Sequence, residues 1–200
     1  TESKLRDLGS WYRGFIRGKT RVVFAWVFAV VLVLTAQTFP NWPGIAICFI
    51  GATIRFWASG FLRKDTKPAV GGPYSVTRNP LYLGTYLMAI GTAISIENWI
   101  FALVITVVYA AVYHYIILDE ETKLRQIFGT PYETYCENVY RFFPRLLPPS
   151  KEILLQINLE PSHQKFSWEL AHKNKAYEAY AAFLALIGFV WLIAWAWQNW

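Results

Sequence analysis

Thirty-three consecutive residues, 22–54, contain no Lys, Arg, Asp or Glu. About 20 apolar residues cross a bilayer as helix, so a run of this length holds more than one crossing or one crossing and a turn. The rest of the chain agrees: 55% of its 200 residues are hydrophobic, 18% are aromatic and 16% are charged. That balance excludes a disordered chain, a disulfide-stapled secreted domain and a soluble two-layer fold, because so much apolar surface is buried only in lipid. The net charge of +6 is read by side of membrane and not as a nucleic-acid footprint.

Five apolar segments qualify as spans: about 22–39, 44–62, 81–96, 99–118 and 180–197. Pro40-Asn41-Trp42-Pro43-Gly44 separates the first two, and Glu97-Asn98 separates the third and fourth. Such short breaks make antiparallel helical hairpins. Of 19 Lys and Arg, six precede the first span, four lie between the second and third, eight lie between the fourth and fifth, and Arg55 stands inside the second. By the positive-inside rule the N-terminus, loop 63–80 and segment 119–176 are cytoplasmic, which makes the protein multi-pass with its site on that face. No secretory signal peptide is expected.

Three parts follow: an interfacial amphipathic N-terminus over 1–20, a transmembrane module over 21–145 whose ligand-binding part is 70–145, and a C-terminal amphipathic segment with the fifth span over 146–200. After the fourth span the helix is expected to continue to Phe128 and stop at Gly129. Thr130 then reads as an N-cap, Pro131 as the first helical residue and Glu133 as the partner in a capping box. Tyr132, Tyr135, Cys136 and Val139 would form the inward stripe of the new helix. Cys48 and Cys136 fall in different environments, and no disulfide is expected. His114, His163 and His172 have no metal-ligand spacing, so no metal is expected either.

Two cytoplasmic segments carry candidate chemistry. In Gly71 to Gly84, Asn79 and Pro80 read structurally as the cap and first position of the third span. Read functionally, the N–H groups of Leu81, Tyr82 and Leu83 and the positive end of that helix offer an anion site. In Asp119-Glu120-Glu121, acids at the bilayer edge need Arg, hydroxyls or a ligand to satisfy them. Tyr74, Tyr82, Tyr113, Tyr115, Tyr132 and Tyr135 lie in the same zone and suit stacking or a cation. Arg55 is either snorkelling to the interface or partnering an acceptor anion.

The two segments together resemble G-P-Y-x-x-x-R-[H/N]-P-x-Y-x-G followed by E-E-x-x-L-x-x-x-F-G-x-x-Y-x-x-Y and R-x-x-P. This is the pattern of the isoprenylcysteine carboxyl methyltransferase and phospholipid methyltransferase group of membrane enzymes. Here it runs from Gly72-Pro73-Tyr74 to Gly84, through Glu120-Glu121, Leu124, Phe128-Gly129, Tyr132 and Tyr135, to Arg141 and Pro144. The resemblance implies an all-α membrane fold with a cytoplasmic pocket formed by the third and fourth spans and the amphipathic helix that follows. It implies S-adenosylmethionine lined by Tyr74, Val76, Asn79, Pro80, Tyr82, Leu83 and Gly84, with Glu120 or Glu121 taking its amino or ribose groups. A lipid or prenylated acceptor would reach the site from the bilayer. The family often has His where this chain has Asn79, and Arg where it has His114. Arg55, His114 and Glu121 are the candidates for direct roles at the acceptor, Glu121 as base if an amine is methylated.

Alternatives are a phospholipid N-methyltransferase, an NADPH-dependent sterol-type reductase whose phosphates would meet Arg63, Lys64, Lys67 and Arg78, and a non-catalytic membrane adaptor.

Overall fold

The computed structural model describes residues 20–63, 68–147, 149–150, 152–153 and 165–200. The surface helix expected over 1–20 lies outside them, apart from Thr20. All regular structure among the described residues is helical: α1 (Thr20–Thr35), α2 (Trp42–Ser59), α3 (Pro80–Ser95), α4 (Trp99–Phe128), α5 (Thr130–Asn138), α6 (Trp168–Lys173) and α7 (Tyr177–Asn199), with a 3-10 turn at Gly72–Ser75 before α3. Two of them, α4 and α7, are long and apolar enough to cross a membrane. At about 1.5 Å per residue the 30-residue α4 is about 45 Å long and outruns a bilayer's hydrocarbon core. Asp119, Glu120 and Glu121 follow its apolar stretch, about 30 Å along the helix from Trp99.

The break between α1 and α2 comes where expected, and the structure shows what fixes it. α1 ends at Thr35, short of Phe39. Asn41 accepts a hydrogen bond from Gly44 N at 2.9 Å, capping α2. The same residue holds the far end of α3: its side-chain amide donates to Ile94 O at 3.1 Å and its backbone N–H donates to Ser95 O at 2.9 Å. At the next turn Asn98 caps α4 by accepting from Phe101 N.

α2 and α3 pack antiparallel along a seam of small residues. A Cβ on Gly51 would lie 2.6 Å from Gly84 O, one on Gly84 would lie 2.6 Å from Gly51 O, and one on Gly91 would lie 2.7 Å from Cys48 N. Close backbone approach of this kind is how apolar helices associate when lipid competes equally for their side chains. The small residues of α3 thus serve helix packing. Cys48 is buried in the seam and Cys136 is partly buried, and both are free thiols.

Two clusters bracket the bundle. At one end Leu32, Ala36, Ala93, Ile96, Phe101, Ile105, Val190 and Ile193 join α1, α3, α4 and α7. At the other, Tyr132, Tyr135 and Val139 of the α5 region close on Val70, with Leu124 and Phe128 of α4 beside them; this is the stripe read from the sequence. Gly129 (φ +60°) does end α4. Thr130 does not cap α5, because the helix already includes it, Gly129 is the cap residue and no side-chain cap bond forms. The expected capping box is therefore absent; the Glu133 N–H bonds Gly129 O at 3.2 Å instead.

The segment after 165 is fastened to the end of α2. Asn174 donates to Ser59 O at 2.9 Å and to Leu62 O at 2.7 Å. Ser167 N donates to Gly60 O, and the Phe166 ring lies so close to Gly60 that a Cβ there would meet it at 2.1 Å. α7 then runs back beside α2 and α1, with Tyr180 donating to Thr53 at 3.2 Å and Trp197 donating to Val33 O at 2.9 Å. The outward faces remain apolar: Trp26, Trp42, Phe49, Trp99, Leu103, Val107, Leu184 and Trp191 are all exposed.

Candidate functional site

The C-terminal end of α2, the N-terminal end of α3, the C-terminal end of α4 and Tyr132 and Tyr135 of α5 line a cavity of about 590 Å3. That is within the range of small-molecule sites, about 300–1,000 Å3. Tyr74, Asn79, Pro80, Tyr82, Glu120 and Glu121 line it, as do Arg55, Arg63, Arg78, Thr85, Tyr113, Tyr132 and Tyr135.

The two segments that the sequence pattern singles out do meet here, through a third. Residues 140–145 run beside 76–79: Arg78 N donates to Tyr140 O at 2.9 Å, Arg145 N donates to Val76 O at 2.8 Å, and the Thr77 hydroxyl donates to Phe142 O at 2.9 Å. The Asn79 side chain joins this strap by donating to Arg141 O at 2.8 Å. Asn79 thus precedes α3 in the cap position with Pro80 first in the helix, but its amide does not cap; it ties the α3 end to the strap. Leu83 N is also committed, to Asn79 O at 3.0 Å, so it is not one of the open N–H groups expected there.

Adjacent acids on α4 have different tasks because successive helical residues point about 100° apart. Glu121 is 2% exposed. Arg141 grips it with two bonds, Nε to Oε1 and Nη2 to Oε2, both 3.1 Å. Arg78 lies 3.4 Å from Oε1 and Arg125 lies 3.9 Å from Oε2. A buried carboxylate with paired guanidiniums is the arrangement that offsets its desolvation. Glu120 is more open and takes one bond, from the Tyr82 hydroxyl at 2.9 Å. Arg78 and Arg141, both inside the first and last motif blocks, were identifiable by position, but nothing local in the sequence says that they share Glu121.

Tyrosines form one wall. Tyr113 stacks on Tyr109 at 3.8 Å between ring centres and 13° between planes, and meets Tyr82 edge-on at 5.2 Å. Tyr135 is buried, and its hydroxyl donates to Tyr74 O at 2.7 Å. Burial raises the phenol pKa of Tyr74, with the charge of Glu120 adding to it. Burial likewise raises those of Tyr132 and Tyr135. All three are neutral donors at physiological pH.

Val76, Leu83, Gly84 and His114 do not line the cavity. Val76 holds the strap by its carbonyl, Leu83 is buried, and Gly84 faces α2. His114 is exposed on α4, edge-on to Tyr115. Arg55 does reach the cavity, bonded to Thr85 Oγ1 and, at 3.4 Å, to Leu81 O. No group of three His, Cys, Asp or Glu side chains gathers for a metal ion among the described residues.

Among the described residues, the Tyr74 hydroxyl and Arg78 Nε, both of residues in the wall, are buried without a partner. Buried donors left unmet cost about 1–3 kcal/mol each.

A bundle of apolar-faced helices with a polar cavity at one end fits a membrane protein. The chain belongs to the phospholipid methyltransferase family, whose model matches residues 24–131. It is similar to the nickel-cobalt-cadmium resistance protein NccN of Alcaligenes xylosoxydans xylosoxydans, 28% identical over 138 residues, 64% of each chain. The cobalt-zinc-cadmium resistance protein CzcN of Cupriavidus metallidurans is also 28% identical over 138 residues, 64% of this chain and 63% of that one. A protein-S-isoprenylcysteine O-methyltransferase of Schizosaccharomyces pombe is 32% identical over 85 residues, 42% of this chain and 36% of that one. The chain thus spans a little under two thirds of the length of the first two relatives. No solved structure matches.

Proposed function

We propose that the protein is an S-adenosylmethionine-dependent methyltransferase of isoprenylcysteine carboxyl methyltransferase type, acting on a lipophilic acceptor at the cytoplasmic face of a membrane it crosses five times. The observation that carries this is the cavity wall itself: two unmet buried donors on Tyr74 and Arg78, the accessible carboxylate of Glu120 and the rings of Tyr82 and Tyr113, all within the family's matching residues. The donor set fits the cofactor. Arg78 Nε and the Tyr74 hydroxyl suit its carboxylate, Glu120 suits its amino or ribose groups, and Tyr82 and Tyr113 offer ring faces to its cation.

S-adenosylmethionine supplies an electrophilic methyl group on a sulfonium, which becomes a neutral thioether on transfer. The chain's own residues align and dry the site. Glu121 draws Arg78, Arg125 and Arg141 together and so holds the strap against α3. The Tyr82 hydroxyl orients Glu120, and Tyr74, Tyr132 and Tyr135 exclude water from below. With its oxygens engaged by guanidiniums, Glu121 serves better as an organiser than as a base. That favours an acceptor such as a carboxylate, which arrives with its nucleophile ready, over an amine that must lose a proton.

Five crossings on a cytoplasmic N-terminus would put loop 63–80 and segment 119–176 on the cytoplasmic side. The test is ligand-dependent thermal stability of the detergent-purified chain. S-adenosylhomocysteine should raise its Tm and NADPH should not; the reverse result would replace this reading with the reductase one, and no shift from either would favour the adaptor.

A further inference from the structure

Arg55 is the only charged residue of α2, and it stands four residues, about 6 Å, before the helix end. A snorkelling side chain would extend past that end into water. This one turns across onto α3 instead. Its stem runs over Gly84, where a Cβ would meet Arg55 Cγ at 2.6 Å. Its Nη1 donates to Thr85 Oγ1, and the Thr85 hydroxyl in turn donates to Leu81 O at 2.9 Å, which leaves an oxygen lone pair for the guanidinium. Gly84 thus gives Arg55 room and Thr85 fixes its heading.

What Arg55 lacks is an anion. Arg78, Arg125 and Arg141 share Glu121, whereas among the described residues no carboxylate pairs with Arg55, and its Nε and Nη2 meet no acceptor. The cavity wall carries three guanidiniums, Arg55, Arg63 and Arg78, against the two carboxylates Glu120 and Glu121. A planar cation with two donors to spare is suited to a bidentate oxyanion. Leu62, Leu81, Leu124 and Ile127 line the same cavity, and Ile127 is exposed. A molecule held at Arg55 therefore has an apolar wall along which to lay a hydrocarbon chain.

We propose that Arg55, aimed by Thr85, seats the anionic oxygens of a lipid molecule, a carboxylate or a phosphate, in the cavity. Calling that molecule the methyl acceptor rests on the methyltransferase reading; the anion seat does not. The seat is tested without cofactor, by titrating the purified full chain in uncharged detergent and following its tryptophan fluorescence. The probes are N-acetyl-S-farnesylcysteine, its methyl ester, farnesyl phosphate and chain-free N-acetylcysteine. The carboxylate or the phosphate probe should bind at least about tenfold more tightly than the ester and the chain-free acid, and Arg55→Gln should remove that preference. Which of the two binds identifies the headgroup. Arg55→Lys should retain part of the preference and Thr85→Val should reduce it, so the proposal stays testable if Arg55→Gln folds poorly. Ester and anions binding alike, or an Arg55→Gln variant with the parent's preference, would overturn it. S-adenosylhomocysteine titrated separately should bind parent and Arg55→Gln alike. If it binds neither while the anionic lipid still binds the parent, methyl transfer falls and the seat stands.

Discussion

Removing the charge of Glu121 while keeping its shape, by Glu121→Gln, separates the organising role of that residue from the ligand role of its neighbour. Glu121 and Arg78 expose only 2% and 9% of their side chains, so this contact is buried on both sides. Breaking a buried pair from one side costs about 3–5 kcal/mol. Arg141 and Arg125 are 37% and 44% exposed, and water re-solvates them, so their loss adds under about 1 kcal/mol. The glutamine carbonyl keeps one bond to Arg141 and returns about 1 kcal/mol. The net cost is about 2–5 kcal/mol. At about 2–4 °C per kcal/mol for a chain of this size, that is about 4–20 °C off the Tm. Thermal unfolding in detergent measures the shift, and hydrogen exchange should show 76–79 and 140–145 losing protection together. Glu120→Gln removes only the charge at an open site, where the amide oxygen can still accept from Tyr82, so it should move stability by no more than about 0.5 kcal/mol while weakening S-adenosylhomocysteine at least about tenfold. Equal stability losses for the two variants, or a Glu121→Gln chain that melts with the parent, would refute this division of labour.

Gly84→Ala should force α2 from α3 and move the Arg55 stem, lowering stability by about 1–3 kcal/mol in a thermal melt. Asn174→Ala deletes two hydrogen bonds to the end of α2; it should cost about 1–3 kcal/mol and speed proteolysis after Gly60. The phenol pKa values of Tyr74 and Tyr135 are raised in the folded chain, so folding binds their protons more tightly than unfolding does. The stability this confers is full below the usual tyrosine pKa of about 10 and is lost as pH rises above it, with tyrosinate absorbance from these two appearing only on unfolding. Cysteines placed at Trp42 and Ile100, both exposed, should label from the side opposite one placed at Ile127; labelling from the same side would reject the topology.

The helical frame was legible because its signals are local. Uncharged runs, the two prolines around Trp42 and Gly129 each act on their own few residues, and element ends fell within about four positions of expectation. The pattern from Gly72 to Pro144 also brought the correct segments together. What stayed hidden has partners far along the chain. Asn79 followed by Pro80 reads as a cap, yet its amide bonds a carbonyl 62 residues away. Glu120 and Glu121 read as interchangeable, since only the position of Arg141 and Tyr82 around the helix tells them apart. Gly84 looked like cofactor-lining because it closes the motif, when its lack of a side chain is used against α2.

The pairing of 76–79 with 140–145 has a consequence for how the protein is made. Chains grow at about 5–20 residues per second, so the 62 residues between Asn79 and Arg141 take about 3–12 s to emerge. For that interval α3 is available to pack on α2 while Arg78 has neither Glu121 nor the strap carbonyls to meet. The packing of α2 on α3 therefore rests at first on their glycine seam alone. The polar end is assembled only afterwards, when α4 has delivered Glu121 and the strap has cleared the ribosome. A lesion in the seam should consequently show as failed packing of α2 on α3 and early degradation, whereas a lesion in the strap should give a protein whose α2 and α3 pack normally but which never acquires its ligand site.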